Sequence, residues 1–187
     1  ILKSTCDPKY VERLYQQALK QQKAGEQEYQ YIRVPQIVDI EKQSDTMVMR
    51  MEYIYSHNFI DHFEVAGFEQ VNYFVKAVCL FLKREIEQSA LTNVSRSMII
   101  EKFEDVKSKI GQNVLLCVDE VVGDLIQQSE VCFKHLPEVL KMPVGCCHGD
   151  LTFSNILFNG NNYYLIDFLD SFIESPLLDM AKIRQDT

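Results

Sequence analysis

Residues 147–157 read CHGDLTFSNIL, and residues 164–168 read YLIDF after a short intervening segment. The segment between them contains NGNN at 159–162, which is a strong hairpin-turn signal because Asn and Gly tolerate positive φ. The sequence therefore predicts two short antiparallel strands joined by this turn. Such a hairpin brings Asp167, at its far end, beside Asn155, at its near end.

Three oxygen-bearing side chains then converge on one point, because Asp150 lies at the mouth of the loop that leads into the hairpin. Phosphoryl transfer from a nucleotide requires a carboxylate near the acceptor hydroxyl and hard oxygen ligands for Mg²⁺. Asp150 can supply the first, and Asn155 with Asp167 can supply the second. Each residue alone is more simply explained as an ordinary turn residue, but the joint spacing favours a site.

The order His-Gly-Asp, four residues, Asn-Ile-Leu, and then a hairpin ending Ile-Asp-Phe resembles the catalytic core of the aminoglycoside phosphotransferase and choline kinase superfamily. This superfamily shares the protein kinase-like fold. The resemblance implies that Asp150 is the catalytic base or the residue that orients the acceptor, and that Asn155 and Asp167 bind Mg²⁺. It also implies that His148 belongs to the catalytic set by bracing the loop.

A second segment, residues 46–54 (TMVMRMEYI), alternates in the manner of a strand that runs into a connection. Taken alone it is a simple edge strand. Beside the catalytic motif it resembles the hinge of kinase-like folds, whose backbone binds adenine. The resemblance places Glu52, Tyr53 and Ile54 at the nucleotide-binding position.

Lys3 lies in a short segment, Ile1-Leu2-Lys3, that resembles the strand carrying the phosphate-binding lysine of the family. The alternative is an ordinary solvated lysine, and three residues do not decide between the two. The family pairs this lysine with a glutamate on the next helix. Here the helix predicted over 8–23 has Gln16 and Gln17 where that partner is expected, so the acidic partner of Lys3 stays undetermined.

Three carboxylates downstream are lesser candidates. Asp170 is a candidate ligand of a second cation or of the acceptor, although a structural role in a polar loop is simpler. Glu174 is a candidate contact for a cationic substrate. Asp179 is expected to stabilise the catalytic loop, as an acid at the start of this helix does in related folds.

The expected fold is α+β and protein kinase-like, with two lobes. Residues 1–53 are predicted to form a partial β-rich N-lobe, in which a strand over 32–41 pairs with the hinge strand. Residues 54–187 are predicted to form a mainly helical C-lobe that carries the catalytic loop and the metal-binding hairpin. Helical periodicity predicts helices over 68–88, 99–110 and 114–136.

Two parts of the family pattern have no counterpart, namely the nucleotide-covering hairpin before the lysine strand and the C-terminal helices after the metal site. The resemblance therefore implies a fragment of a larger enzyme. It leaves open whether the fragment is active by itself.

Composition limits the partners. With 27 acidic and 19 basic residues the net charge is −8, which argues against nucleic acid or an anionic membrane as the primary partner and is compatible with a cationic acceptor. No signal peptide or membrane-spanning apolar run is evident, and the six cysteines form no disulfide framework. A cytoplasmic location fits these features. Cys79, Cys117 and Cys132 are expected to be buried thiols.

The sequence thus predicts a phosphotransferase that uses ATP, or another nucleoside triphosphate, and Mg²⁺ to phosphorylate a hydroxyl of a small molecule. An amino sugar, a sugar or a choline-like alcohol would fit. Two alternatives remain. One is a non-catalytic, kinase-like nucleotide-binding or regulatory module, and the other is a metal-dependent hydrolase. The oligomeric state is not indicated.

Overall fold

The computed structural model describes residues 1–160 and 162–187. Their helices are α1 (Pro8–Gly25), α2 (Phe59–Val65), α3 (Phe68–Gln88), α4 (Arg96–Gln112), α5 (Glu120–Lys134) and α6 (Pro176–Gln185). Their strands are β1 (Leu2–Thr5), β2 (Ile32–Arg33), β3 (Ile37–Lys42), β4 (Met47–Met51), β5 (Ala90–Ser95), β6 (Val139–Val144), β7 (Ile156–Asn159) and β8 (Asn162–Leu165). Helices and small sheets are mixed, which confirms the α+β class and agrees with a protein kinase-like fold.

The N-terminal sheet has the order β1-β4-β3 and is antiparallel throughout. Helix α1 begins after Asp7, whose side chain accepts from the amide of Lys9, and Pro8 occupies the first turn, where its missing amide costs nothing. Buried α1 residues, including Leu14 and Ala18, recur at helical spacing and pack on the methionines of β4. This packing fixes β1, and with it Lys3, against the helix.

The second sheet has the order β2-β8-β7 and contains the predicted hairpin. Its register pairs Ile156 with Leu165 and Phe158 with Tyr163. Asn161, in the predicted turn, lies outside the described residues. The buried face of the hairpin packs on α3 in the largest apolar cluster, which includes Phe74 and Phe81. The hairpin is therefore supported on one face by a packed apolar core.

The predicted strand over 32–41 is interrupted. Its first part, β2, pairs in parallel with β8. Its second part, β3, pairs with the hinge strand β4 as predicted. The break falls at residues 34–36, where Pro35 has no amide to donate to a sheet. The return strand of the hairpin ends at Leu165, before Asp167, whose positive φ of 60° a strand cannot accommodate.

The chain divides into two compact units, residues 1–90 with 144–187, and residues 91–143. The predicted lobe boundary after Tyr53 lies inside the first unit and stays a prediction. The second unit contains α4, α5 and most of the β5-β6 sheet. Its helix α5 begins at Glu120 instead of at 114, because Asn113 accepts from the amides of Leu115 and Leu116 in a turn and Asp119 caps the helix.

The expectation of buried thiols is wrong for Cys79, Cys117 and Cys132, all of which are exposed. The buried face of α3 runs through Phe74, Ala77, Val78 and Phe81, so Cys79 points away from it. All six cysteines are unpaired. Among the described residues, none of the helices is long and apolar enough to cross a membrane.

Candidate active site

The near and far ends of the hairpin meet as the sequence predicts. The amide of Ile166 donates to the carbonyl of Asn155 at 3.0 Å, which places Asp167 directly beside Asn155. The side-chain amide of Asn155 donates to Asp150 twice, to the backbone carbonyl at 2.8 Å and to Oδ2 at 3.1 Å. Asn155 therefore joins the loop that carries Asp150 to the hairpin that carries Asp167.

Asp167 is held by Lys3, whose Nζ lies 2.9 Å from Oδ1 of the carboxylate. The acidic partner of Lys3 is therefore Asp167 rather than a side chain of α1. Gln16 instead donates to Glu12 on the same helix. The positive φ of Asp167 is a conformation that Asp adopts more readily than most residues but still at a cost, which is typical of functional positions.

His148 is fully buried and braces the loop. Its Nδ1 accepts from the amide of Asp150 at 3.2 Å, so its Nε2 carries the proton and donates to the carbonyl of Ile166 at 2.8 Å. Burial lowers the pKa of His148 to about 4. The neutral ring therefore links the segment before Asp150 to the residue before Asp167.

Gly149 is required by its surroundings. Its φ is +92°, and a Cβ at this position would lie 2.0 Å from the carbonyl oxygen of Leu169. The same close approach allows the amide of Leu169 to donate to the carbonyl of His148 at 3.0 Å. The loop and the segment after Asp167 are therefore in direct backbone contact.

Asp179, at the start of α6, is buried beneath the loop and accepts from the amides of His148 and Gly149. Burial raises its pKa to about 6, although these hydrogen bonds favour the ionised form. The expectation that Asp179 stabilises the catalytic loop is confirmed.

The predicted hinge residues, 52–54, directly follow β4. The amide of Glu52 donates to the carbonyl of Gln36 at 2.9 Å. By contrast, the amides of Tyr53 and Ile54 donate to no backbone carbonyl of the described residues. Ile54 is buried, and Tyr53 is exposed. These two amides are thus free to donate to a ligand.

The model of the phosphotransferase enzyme family (APH) matches residues 16–186, which is nearly the whole chain. The chain belongs to this family. The match includes Asp150, Asn155, Asp167 and the hinge, whereas Lys3 lies before it. No curated protein matches the chain.

In this phosphotransferase the residues present fit a Mg²⁺ ion. Asn155 uses its NH₂ group on Asp150, which leaves its amide oxygen as a ligand, and Asp167 offers a half-exposed carboxylate. Two protein oxygens are the usual contribution to Mg²⁺ bound with phosphates. Among the described residues no group of three or more His, Cys, Asp or Glu side chains is placed to hold a metal ion.

Sequence reasoning missed two lysines of the site. Lys182 on α6 lies 3.1 Å from Oδ1 of Asp150. Lys20 on α1 donates to the carbonyl of Leu169 at 2.6 Å and to Glu174. The spacing of Lys182, three residues after Asp179 on one helix, is a signal that could have identified it. Lys20 offers no such signal, because its partners are about 150 residues away.

The lesser carboxylates are used within the protein. One oxygen of Glu174 receives Lys20 and the thiol of Cys147, and the other accepts from the amide of Ser171 at 2.8 Å. Asp170 forms a solvent-exposed ion pair with Arg13 at 3.5 Å. Glu174 thus joins α1 to the segment that follows Asp167.

Replacement of His148 by Gln should change the pH dependence of stability. Above pH 6.5 the ring is neutral in both states. As the pH falls towards 4, the unfolded state binds a proton that the folded state does not, so the free energy of unfolding falls. Between pH 7 and 4 the wild type should lose up to about 3 kcal/mol more than His148→Gln. Urea denaturation at several pH values measures this difference.

The comparison between the two proteins is essential, because the raised pKa of Asp179 acts in the opposite direction over nearly the same pH range. The contribution of Asp179 is the same in the wild type and in His148→Gln, so it cancels in the difference between their pH profiles. Parallel pH profiles would contradict the neutral, buried assignment of His148.

Replacement of Gly149 by Ala should destabilise the protein by more than about 3 kcal/mol. The new methyl group must displace the carbonyl of Leu169, and the positive φ is itself unfavourable for Ala. Gly160→Ala is the matched control. Gly160 also has a positive φ, of 56°, but nothing lies within 4 Å of a Cβ there, so a loss of only about 1–2 kcal/mol is expected. Equal losses in urea denaturation would show that the contact with Leu169 is not the constraint.

Proposed function

We propose that this protein transfers the γ-phosphoryl group of ATP, or of another nucleoside triphosphate, to a hydroxyl of a small molecule in a Mg²⁺-dependent reaction. The observation that carries the proposal is the convergence of Asp150, Asn155 and Asp167 through the hydrogen bonds of Asn155. Membership of the phosphotransferase enzyme family supports the reaction class. Amino sugars, sugars and choline-like alcohols are the proposed acceptors.

Asp150 is proposed to receive or direct the proton of the acceptor hydroxyl. Its side chain is 26% exposed, so it is reachable from solvent yet held. Each carboxylate oxygen has two acceptor positions, so a hydrogen bond from Asn155 leaves room for a hydroxyl donor. Holding the hydroxyl in line with the phosphoryl group is the main task in this chemistry, which requires little covalent participation from the protein.

Asn155 and Asp167 would hold Mg²⁺, which when bound neutralises phosphate charge. Lys3 is proposed to bind the α- and β-phosphates, because its ammonium group already reaches the carboxylate of Asp167. The resemblance to the family hinge assigns Glu52, Tyr53 and Ile54 to adenine. The amides of Tyr53 and Ile54 would donate to the base.

The charge of the chain favours one class of acceptor, namely cationic small molecules. A net charge of −8 favours accumulation of cationic molecules and disfavours nucleic acid as a substrate. Aminated alcohols are therefore the first compounds to test.

The test measures phosphate transfer from MgATP by the intact protein to a panel of aminoglycosides, simple sugars, choline and ethanolamine. We expect turnover with at least one acceptor. Asp150→Asn should lower kcat by about 10²–10⁴, because the hydroxyl loses its proton acceptor. Hydrolysis of ATP that is independent of every acceptor would favour the hydrolase. Tight nucleotide binding without turnover would favour the regulatory module.

The metal assignment has its own matched pair of variants. Asp167→Asn should weaken Mg²⁺-dependent nucleotide binding by at least about ten-fold, because a charged oxygen ligand becomes neutral. Asp170→Asn makes the same chemical change three residues away, at a carboxylate that pairs with Arg13 at the surface, and should leave binding within about two-fold. Calorimetric titration of an ATP analogue with and without Mg²⁺ measures both. Equal effects would remove Asp167 from the metal site.

A further inference from the structure

Helix α6 presents one face to the catalytic loop. Asp179 accepts from the amides of His148 and Gly149, and Lys182 lies 3.1 Å from Asp150. Asp186, which follows the helix directly, accepts from the amide of Phe153 at 2.6 Å. Their separations of three and four residues place all three side chains on the same side of the helix. The helix and the residue after it therefore contact the loop at several points between His148 and Phe153.

The contact of Lys182 differs from the other two because its partner is the carboxylate that the proposed reaction uses. Oδ1 of Asp150 faces Lys182, and Oδ2 accepts from the side-chain amide of Asn155 at 3.1 Å. A carboxylate group rotates easily about its last bond. A donor on each oxygen fixes that rotation and still leaves a free acceptor position on each oxygen.

The ion pair is too exposed to matter for folding. The side chain of Lys182 is 44% exposed, and surface ion pairs contribute about 0–1 kcal/mol to stability. Orientation is a different matter, because a small misplacement of a catalytic group can cost about 10²-fold in rate. The geometry therefore favours a catalytic benefit over a structural one.

We propose that Lys182 is a positioning residue for phosphate transfer, which holds the Asp150 carboxylate in the orientation that receives the acceptor hydroxyl. This inference rests on the proposed function. The ammonium group of Lys182 acts through Asp150 rather than on the substrate. Removal of this group should therefore lower kcat and leave the KM values nearly unchanged.

The test compares steady-state kinetics of Lys182→Met, Lys182→Arg and the wild type with MgATP and the best acceptor of the panel. Lys182→Met should lower kcat by about 10–100-fold and leave both KM values within about three-fold. Lys182→Arg, which can still donate to Oδ1, should recover most of the loss. Arg184→Met removes an exposed cation from the same helix and should leave kcat within about two-fold.

A double variant locates the effect. Once Asp150 is replaced by Asn, adding Lys182→Met should cause little further loss, because the group that Lys182 positions is no longer a carboxylate. Effects that multiply in the double variant would overturn the proposal, since Lys182 would then act elsewhere. A loss in Lys182→Met that Arg does not recover and that accompanies a lower Tm would also overturn it in favour of a folding role.

The two proposals fail in different ways. A wild-type protein that phosphorylates no acceptor removes the proposed function and the role of Lys182 with it. A wild type that turns over, beside a Lys182→Met variant with the same kcat, overturns the role of Lys182 alone.

Discussion

The candidate site depends on the carboxylate of Asp179, which is buried under the backbone of the catalytic loop. The positive φ of Gly149 is part of a loop conformation in which successive amides point inwards, and buried amides must find acceptors. Asp179 accepts from two of them, those of His148 and Gly149. These bonds offset part of the cost of burying a carboxylate. The loop and the start of α6 therefore require each other.

His148 extends this constraint to the hairpin. Its ring is tied to the amide of Asp150 on one side and to the carbonyl of Ile166 on the other. The amide of Ile166 is in turn bonded to Asn155. A single residue, Ile166, thus connects the brace of the loop with the end of the hairpin. Asp150 lies two residues after His148, and Asp167 lies one residue after Ile166. Their positions relative to each other are consequently fixed by the His148 ring and by the backbone groups that it contacts.

The features that could be predicted from the sequence are local ones. The hairpin is encoded by a turn signal between two short apolar runs, so the meeting of Asn155 and Asp167 followed from spacing alone. The contacts of Lys3 with Asp167 and of Lys20 with Glu174 span about 150 residues or more, and no local pattern encodes them. The late start of α5 was missed because the apolar residues after Asn113 mimic helical periodicity, while the side chain of Asn113 makes a turn instead.

The carboxylates of Asp150 and Asp167 differ from the buried residues Asp179 and His148 in the kind of partner that they have. Asp150 and Asp167 each contact a lysine from outside the catalytic segment, and both lysines are more than one-third exposed. Such pairs cost little to open, because water replaces the lost contact. Asp179 and His148 are instead buried and bonded to backbone groups of the loop, so an exchange of these partners would require the loop to open. The phosphotransferase thus combines a tightly bonded backbone with acidic side chains that solvent can reach. This arrangement suits a site in which Asp167 would exchange Lys3 for a metal, while Asp150 keeps Lys182 on Oδ1 and receives a hydroxyl at a free acceptor position.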